Sequence, residues 1–198
     1  MNVPTVTKPT GVKRPFKLKE IWRLRTRLEL EHNWMQIALL NLAIDSKLRA
    51  SDLLHLHVYD VCAQNRVLER GNCLQKKTGT DVQFEITPRT QQSLSKWIDI
   101  AALPANEYVF PSQRRDNQPI SYSYYRTIIR NWASLLGLNA NCYGTHSMRR
   151  TKATLIYAKT KNIRAVQLLL GHSKLDNTIR YLGVELEEAL TLSEKTEC

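Results

Sequence analysis

Hydrophobic and polar positions change their rhythm along this chain, and each change marks a different element. From Phe16 apolar residues recur at helical spacing: Leu18, Ile21, Trp22, Leu24 and Leu28 form one stripe, beside the basic positions Arg23, Arg25 and Arg27. Residues 34–45 are apolar almost all round (Met35, Ile37, Ala38, Leu39, Leu40, Leu42), which predicts a central, fully enclosed helix. A third helix is predicted to start at Ala50-Ser51-Asp52 and to run through Leu53, Leu54 and Leu56, with Arg49 just before it. The rhythm then shortens. Val58, Val61, Val67 and Leu68, then Cys73-Leu74, then Val82, Phe84 and Ile86 read as short strands, the last two runs joined by a turn over 76–81 with Gly79 available for positive φ.

Helical spacing returns after Pro88 and continues to about Ala102 through Leu94, Trp97 and Ile98; Val109-Phe110-Pro111 reads as a short extended piece. Residues 121–136 predict a helix with Tyr124, Tyr125, Ile128, Ile129, Trp132 and Leu135 inward, ended by Gly137. Further helices are expected at about 145–159, 162–170 and 175–183. The fold class is therefore mainly α with a small antiparallel β-sheet (α+β). No repeat, low-complexity tract or Gly/Ser linker divides the chain, so the expected organisation is a flexible basic arm (1–15), one domain (16–184) and an acidic tail (185–198).

Charge sharpens this picture. The 198 residues carry 29 Lys+Arg against 18 Asp+Glu, a net charge of +11, which points to a polyanionic partner, most simply nucleic acid. Residues 1–30 hold eight of the basic residues and two acids, whereas the last stretch carries Glu185, Glu187, Glu188, Glu194 and Glu197 against Lys195. Four scattered cysteines without a C-x-x-C pair suggest neither a zinc site nor a disulfide framework. With no apolar run of membrane-spanning length and no signal core, the expectation is a soluble cytoplasmic, nucleoid-associated protein, and Met1 suggests a complete product.

Candidate chemistry gathers between Tyr143 and Tyr181. His146 and Arg149 are three residues apart and share a helical face; Arg150, four from His146, lies close to the same face, so spacing alone does not choose between the arginines. Arginine forks match phosphate, and a tyrosine hydroxyl is a possible covalent nucleophile. His172 and Tyr181 are nine apart and would face opposite ways on one unbroken helix, but Gly171 can stop a helix and Ser173 or Asp176 can start another. Arg49, at the mouth of the apolar helix, needs an anionic partner or water, Asp52 or Asp45 being the near ones.

Taken in order, Leu48-Arg49-Ala50-Ser51-Asp52-Leu53, Lys77-Thr78-Gly79, Thr145-His146-Ser147-Met148-Arg149-Arg150-Thr151, Leu169-Leu170-Gly171-His172-Ser173 and Thr178-Ile179-Arg180-Tyr181 resemble the catalytic domain of the tyrosine recombinases, also called the phage integrase family. The resemblance spans roughly residues 16–183. It implies that Arg49 and Arg149 clamp the scissile phosphate, that Lys77 protonates the leaving 5′ oxygen, that His146 and His172 hydrogen-bond the phosphoryl group, and that Tyr181 is the nucleophile. It assigns the H-x-x-R role to Arg149 and a supporting role to Asp52. It also implies cleavage and rejoining of double-stranded DNA through a 3′-phosphotyrosyl bond without metal, ATP or other cofactor, by a homotetramer on DNA, with an accessory DNA-bending protein in some systems. Lys13, Arg14, Lys17, Arg23, Lys76 and Arg150 are the expected further DNA contacts. The first helix begins too early for the separate clamping domain many members carry, so the chain looks like the short single-domain recombinases of fimbrial phase variation. The alternative is a DNA-binding regulatory protein that keeps the fold without turnover.

Overall fold

The structure is a computed structural model that describes residues 13–182, apart from Thr78, Arg115, His172 and Ser173 and the side chains of Asn177, Arg180 and Tyr181. Most of the arm and the whole acidic tail therefore lie outside the described residues. Within them the chain divides into two compact units, with the boundary inside a helix, between Lys152 and Ala153.

The first unit is built on α2 (Trp34–Ser46), from Ile37 to Ser46 buried on every side. Asn33 caps it by accepting the Gln36 N–H, and Lys47 ends it in the left-handed conformation at φ 53°. Packed around it are α1 (Leu18–Leu30), α5 (Pro88–Ile100) and α6 (Tyr122–Leu135). Their inward residues Leu24, Leu28, Leu94, Ile129 and Trp132 are all about fully buried; each such side chain contributes about 1.5–3 kcal/mol relative to exposure. The buried Trp132 donates its indole N–H to Gln36 Oε1 at 2.6 Å, and the half-buried Trp97 donates to the Val109 carbonyl at 2.7 Å.

Several expectations change here. Leu18, Trp22, Tyr124 and Leu135 were assigned inward but are about half exposed, because a 13- or 14-residue helix against one layer buries a narrower stripe than its apolar content suggests. Trp22 instead lies against the guanidinium groups of Arg89 (4.5 Å) and Arg25 (5.6 Å). The third helix, α3, is only Ala50–Leu54, and Arg49 itself is the residue that precedes it, in extended conformation. Val58 and Val61 belong to a helical turn, α4 (Val58–Val61), rather than a strand, started by Asp60 accepting the His57 N–H; apolar residues three apart fit either reading in so short a run. Residues 13–15 are not free: Lys13 Nζ donates to the Asn141 carbonyl, the Arg14 N–H to the Cys142 carbonyl, and the adjoining Phe16 stacks on Tyr143.

The β content forms two small antiparallel sheets. β1 (Cys62–Ala63) and β2 (Arg66–Val67) are joined by Gln64-Asn65, both at positive φ as a type I′ turn requires. β3 (Arg70–Leu74) pairs with β4 (Asp81–Glu85). Gly71 lies opposite Phe84, whose ring would sit 2.5 Å from any added Cβ. The turn between them contains Gly79 at φ 63°, as its sequence indicated.

A 3₁₀ turn (Ala140–Cys142) leads into α7 (Thr145–Thr160), which crosses the unit boundary. The second unit holds the rest of α7, α8 (Ile163–Leu170) and α9 (Leu175–Leu182), with Ala153, Val166 and Leu170 as its core. Gly171 ends α8 in the left-handed conformation, so the break expected before α9 is present.

A network of buried charge was not anticipated. Asp45 accepts from Lys152 Nζ at 2.7 Å, from the Thr87 N–H and hydroxyl at 3.0 and 2.6 Å, and from the Thr90 hydroxyl. Lys47 Nζ donates to both oxygens of Glu85 at 2.8 Å, and Lys152 Nζ reaches Glu85 at 2.7 Å. Burial opposes ionisation of Asp45, but the bonds from Lys152, Thr87 and Thr90 outweigh it and hold its carboxyl below the usual range. Glu85 is likewise held low by Lys47 and Lys152. Groups with depressed native values contribute stability that is present above their unfolded value, near pH 4, and is lost as pH falls through the native value. Asp45→Asn, which takes from Lys152 one of its two carboxylate partners and leaves it Glu85, should cost about 1.5–3 kcal/mol in urea unfolding at pH 7. It should also flatten the loss of stability measured below about pH 4.

Candidate functional site

Arg49, His146 and Arg149 line one cleft of about 220 Å³, together with Leu48, Ala50, Ser51, Tyr122 and Thr145. Three segments far apart in sequence build it. The αL ending of α2 at Lys47 turns the chain so that Arg49 leads into α3. The start of α7 supplies Thr145, His146 and, one turn on, Arg149. The start of α6 supplies Tyr122, whose hydroxyl is 3.2 Å from that of Thr145.

Arg49 does not use Asp45 or Asp52 as its partner. Its Nη1 donates to Gln75 Oε1 at 2.6 Å, a neutral acceptor at the end of β3. Asp45 is engaged in the buried network, and Asp52, 2% exposed, turns to the hairpin, accepting the Lys76 N–H at 3.2 Å on Oδ1. Its Oδ2 is buried with no hydrogen-bond partner among the described residues.

The arginine left undecided by spacing can now be placed. Arg149 is 4% exposed and lines the cleft, whereas Arg150, 7% exposed, is not among the lining side chains. Of the other basic residues singled out from the sequence, Arg14, Lys17, Arg23, Lys76 and Lys77 are exposed and Lys13 is half-buried. Lys77 stands in the β3–β4 turn, two residues from Gln75. His172 lies outside the described residues. Tyr181 belongs to α9, its side chain lying outside the described residues. Gln75 and Tyr122 were missed. Nothing in a lone glutamine before a turn, or a tyrosine at a helix start, separates it from its neighbours by sequence.

Electrostatically the cleft is basic. Enclosure of its ring, then the guanidinium groups of Arg149, Arg150 and Arg49, push His146 below its ordinary value of 6.5. Among the described residues no group of three or more His, Cys, Asp or Glu side chains is arranged to hold a metal ion, and no helix is long and apolar enough to cross a membrane.

A cleft of two arginines and a histidine, fed by a helix junction and a helix start, on a mainly helical scaffold with a lysine hairpin, defines a class. The profile described as Phage integrase family matches residues 17–188. The chain is 32% identical over 142 residues to a probable integrase/recombinase, YoeC, of Bacillus subtilis, covering 72% of this chain and 74% of that one. It is 30% identical over 156 residues to a tyrosine recombinase of Pseudothermotoga lettingae, covering 79% of this chain and 52% of that one. Among solved structures, XerA recombinase superposes with a TM-score of 0.76 at 20% identity, over 100% of this chain and 71% of that one. XerH recombinase bound to its palindromic difH substrate superposes with a TM-score of 0.71 at 18% identity, over 97% and 56%. The chain thus belongs to the phage integrase family, and its fold is that of a tyrosine recombinase catalytic domain. It spans about half the length of most of the curated relatives it matches.

The His146 environment has a direct consequence. By NMR titration of the free protein its imidazole should have a midpoint below 6.5, so it is neutral at pH 7. Arg149→Gln, which removes one of the three cations, should move that midpoint upward.

Proposed function

We propose that this chain is a site-specific DNA recombinase that breaks and rejoins strands through a covalent 3′-phosphotyrosyl intermediate. The observation that carries the reading is the convergence of Arg49, His146 and Arg149 on one cleft from segments about a hundred residues apart in sequence. Family membership and the recombinases among its relatives support it.

In this reading a scissile phosphate is bound by the guanidinium forks of Arg49 and Arg149, each able to donate two parallel hydrogen bonds to non-bridging oxygens. As the phosphorus passes through its five-coordinate state, charge builds on those oxygens, and fixed cationic donors stabilise that charge more than the ground state. The Tyr181 oxygen attacks phosphorus, forming the Tyr–O–P bond as the P–O5′ bond breaks. The phenolic proton passes from Tyr181 to water, and Lys77 gives its proton to the departing O5′. His146, neutral at pH 7, and His172 hydrogen-bond the phosphoryl oxygens. Rejoining reverses the step with a 5′ hydroxyl from a second strand as nucleophile, so the bond energy is retained and no nucleotide cofactor is consumed. Arg14, Lys17, Arg23 and Lys76 extend the basic surface along the duplex, with Lys13 and Arg150 as the further contacts expected from the sequence. The working assembly is a homotetramer on two double-stranded sites, with a DNA-bending helper in some arrangements.

A nicked duplex built on inverted repeats flanking the gene tests this. The wild-type protein should give a covalent protein–DNA adduct, and Tyr181→Phe should give none while still retarding the DNA. An adduct surviving that change would overturn the assignment of the nucleophile. Lys77→Ala should cleave ordinary DNA poorly and recover on a substrate with a 5′-bridging phosphorothiolate, whose thiolate needs no proton to leave.

A further inference from the structure

Holding a DNA-gripping guanidinium with an amide rather than a carboxylate requires a physical reason. Gln75 is 2% exposed, and its Oε1 takes the Arg49 Nη1 hydrogen at 2.6 Å. Its main chain also closes the neighbouring turn: the Gln75 N–H donates to the Thr80 carbonyl at 2.9 Å, and its carbonyl accepts the Gly79 N–H at 2.8 Å. The next residue's N–H is tied to Asp52 Oδ1 at 3.2 Å, on the helix that Arg49 begins. One buried residue thus bonds Arg49 through its side chain and fixes, through its backbone, the turn from which Lys77 projects.

We propose that Gln75 is a positioning residue that couples the Arg49 clamp to the Lys77 hairpin, and that its neutrality leaves the Arg49 charge available to DNA phosphate. This rests on the recombinase reading above. A carboxylate at the same distance would form a charge-assisted pair with the guanidinium, and an incoming phosphate would have to compete with it. An amide oxygen fixes the fork and leaves the full positive charge. With no acceptor there, Arg49 regains much of the rotamer freedom of its long side chain, and the turn loses its link to α3 through that side chain.

The test uses the full chain as wild type, Gln75→Ala and Gln75→Glu. Single-turnover cleavage is measured on nicked duplexes with an ordinary phosphodiester and with a 5′-bridging phosphorothiolate, alongside DNA affinity and thermal midpoint. Gln75→Ala should cleave the phosphodiester about ten- to a hundredfold more slowly, the size expected for one hydrogen bond to a charged group. It should regain part of that loss on the phosphorothiolate, because the hairpin share of the defect is bypassed. Gln75→Glu is nearly isosteric and should keep the wild-type thermal midpoint, yet bind DNA more weakly and cleave both substrates slowly, because its defect lies in the Arg49 charge. Wild-type rates in both variants, or no recovery of Gln75→Ala on the phosphorothiolate, would overturn the coupling. So would loss of cleavage in Gln75→Glu that simply follows a lowered midpoint. Should the wild type itself form no adduct, the recombinase reading fails and takes this inference with it; an adduct in the wild type matched by both variants sinks this inference alone.

Discussion

Two carboxylates and two lysines, locked together where α2 ends, set the geometry on which the cleft depends. Asp45 lies four residues before Arg49, and Lys152 one helical turn after Arg149. The 2.7 Å contact between them therefore ties the two arginine-bearing segments together close to both arginines. Glu85 extends the tie to β4 through Lys47 and Lys152, and Thr87 and Thr90 extend it to the start of α5. Burial penalises each of these charges; pairing outweighs it at Asp45, Glu85 and Lys152, whose values shift toward the charged form, whereas at Lys47 burial outweighs the pairing and lowers the value.

The same chemistry is used in opposite ways a few residues apart. In the network each lysine meets a carboxylate, so its charge is spent within the protein. In the cleft the described partner of Arg49 is an uncharged amide, and the neighbouring histidine is pushed toward its neutral form by enclosure and then by the cations around it. Positive charge is gathered there at a cost in self-repulsion, and an anion entering the cleft relieves that repulsion. In the function proposed above, fixed donors need no reorganisation as charge grows on the phosphate, which is the condition under which electrostatic stabilisation of a transition state is largest.

Legibility in the sequence follows the range of the forces involved. α2 was readable because enclosure on all sides leaves apolar residues on every face, and the β3–β4 turn was readable because positive φ at Gly79 is a local demand. The break before α9 was readable for the same reason, at Gly171. Val58 and Val61 misled because an apolar spacing of three within four residues does not separate helix from strand. Leu18 and Tyr124 misled because apolar content does not reveal how wide a face the next layer covers. Arg49 had two acidic residues nearby in sequence and bonds neither; its acceptor, Gln75, is brought in by tertiary folding from 26 residues away. Spacing did not separate Arg149 from Arg150; of the two, Arg149 lines the cleft.

A buried ion-pair network is a costly way to join α2, β4 and α7 if stability were all that mattered, since well-packed apolar side chains often serve as well or better. Register is where charge has the advantage. An apolar seam between two helices can slide by one turn, about 5.4 Å, with a similar set of contacts on either side. Lys152 cannot slide without giving up the buried Asp45 carboxylate, which then has no lysine ammonium against it, and its contact with the partly exposed Glu85. In the function proposed above, a slip of that size would carry Arg149 beyond hydrogen-bonding range of a phosphate oxygen held by Arg49, since such bonds form only within about 2.7–3.2 Å. Placing the network one turn from Arg149 and four residues from Arg49 therefore converts a cost in desolvation into a fixed alignment of the two arginines.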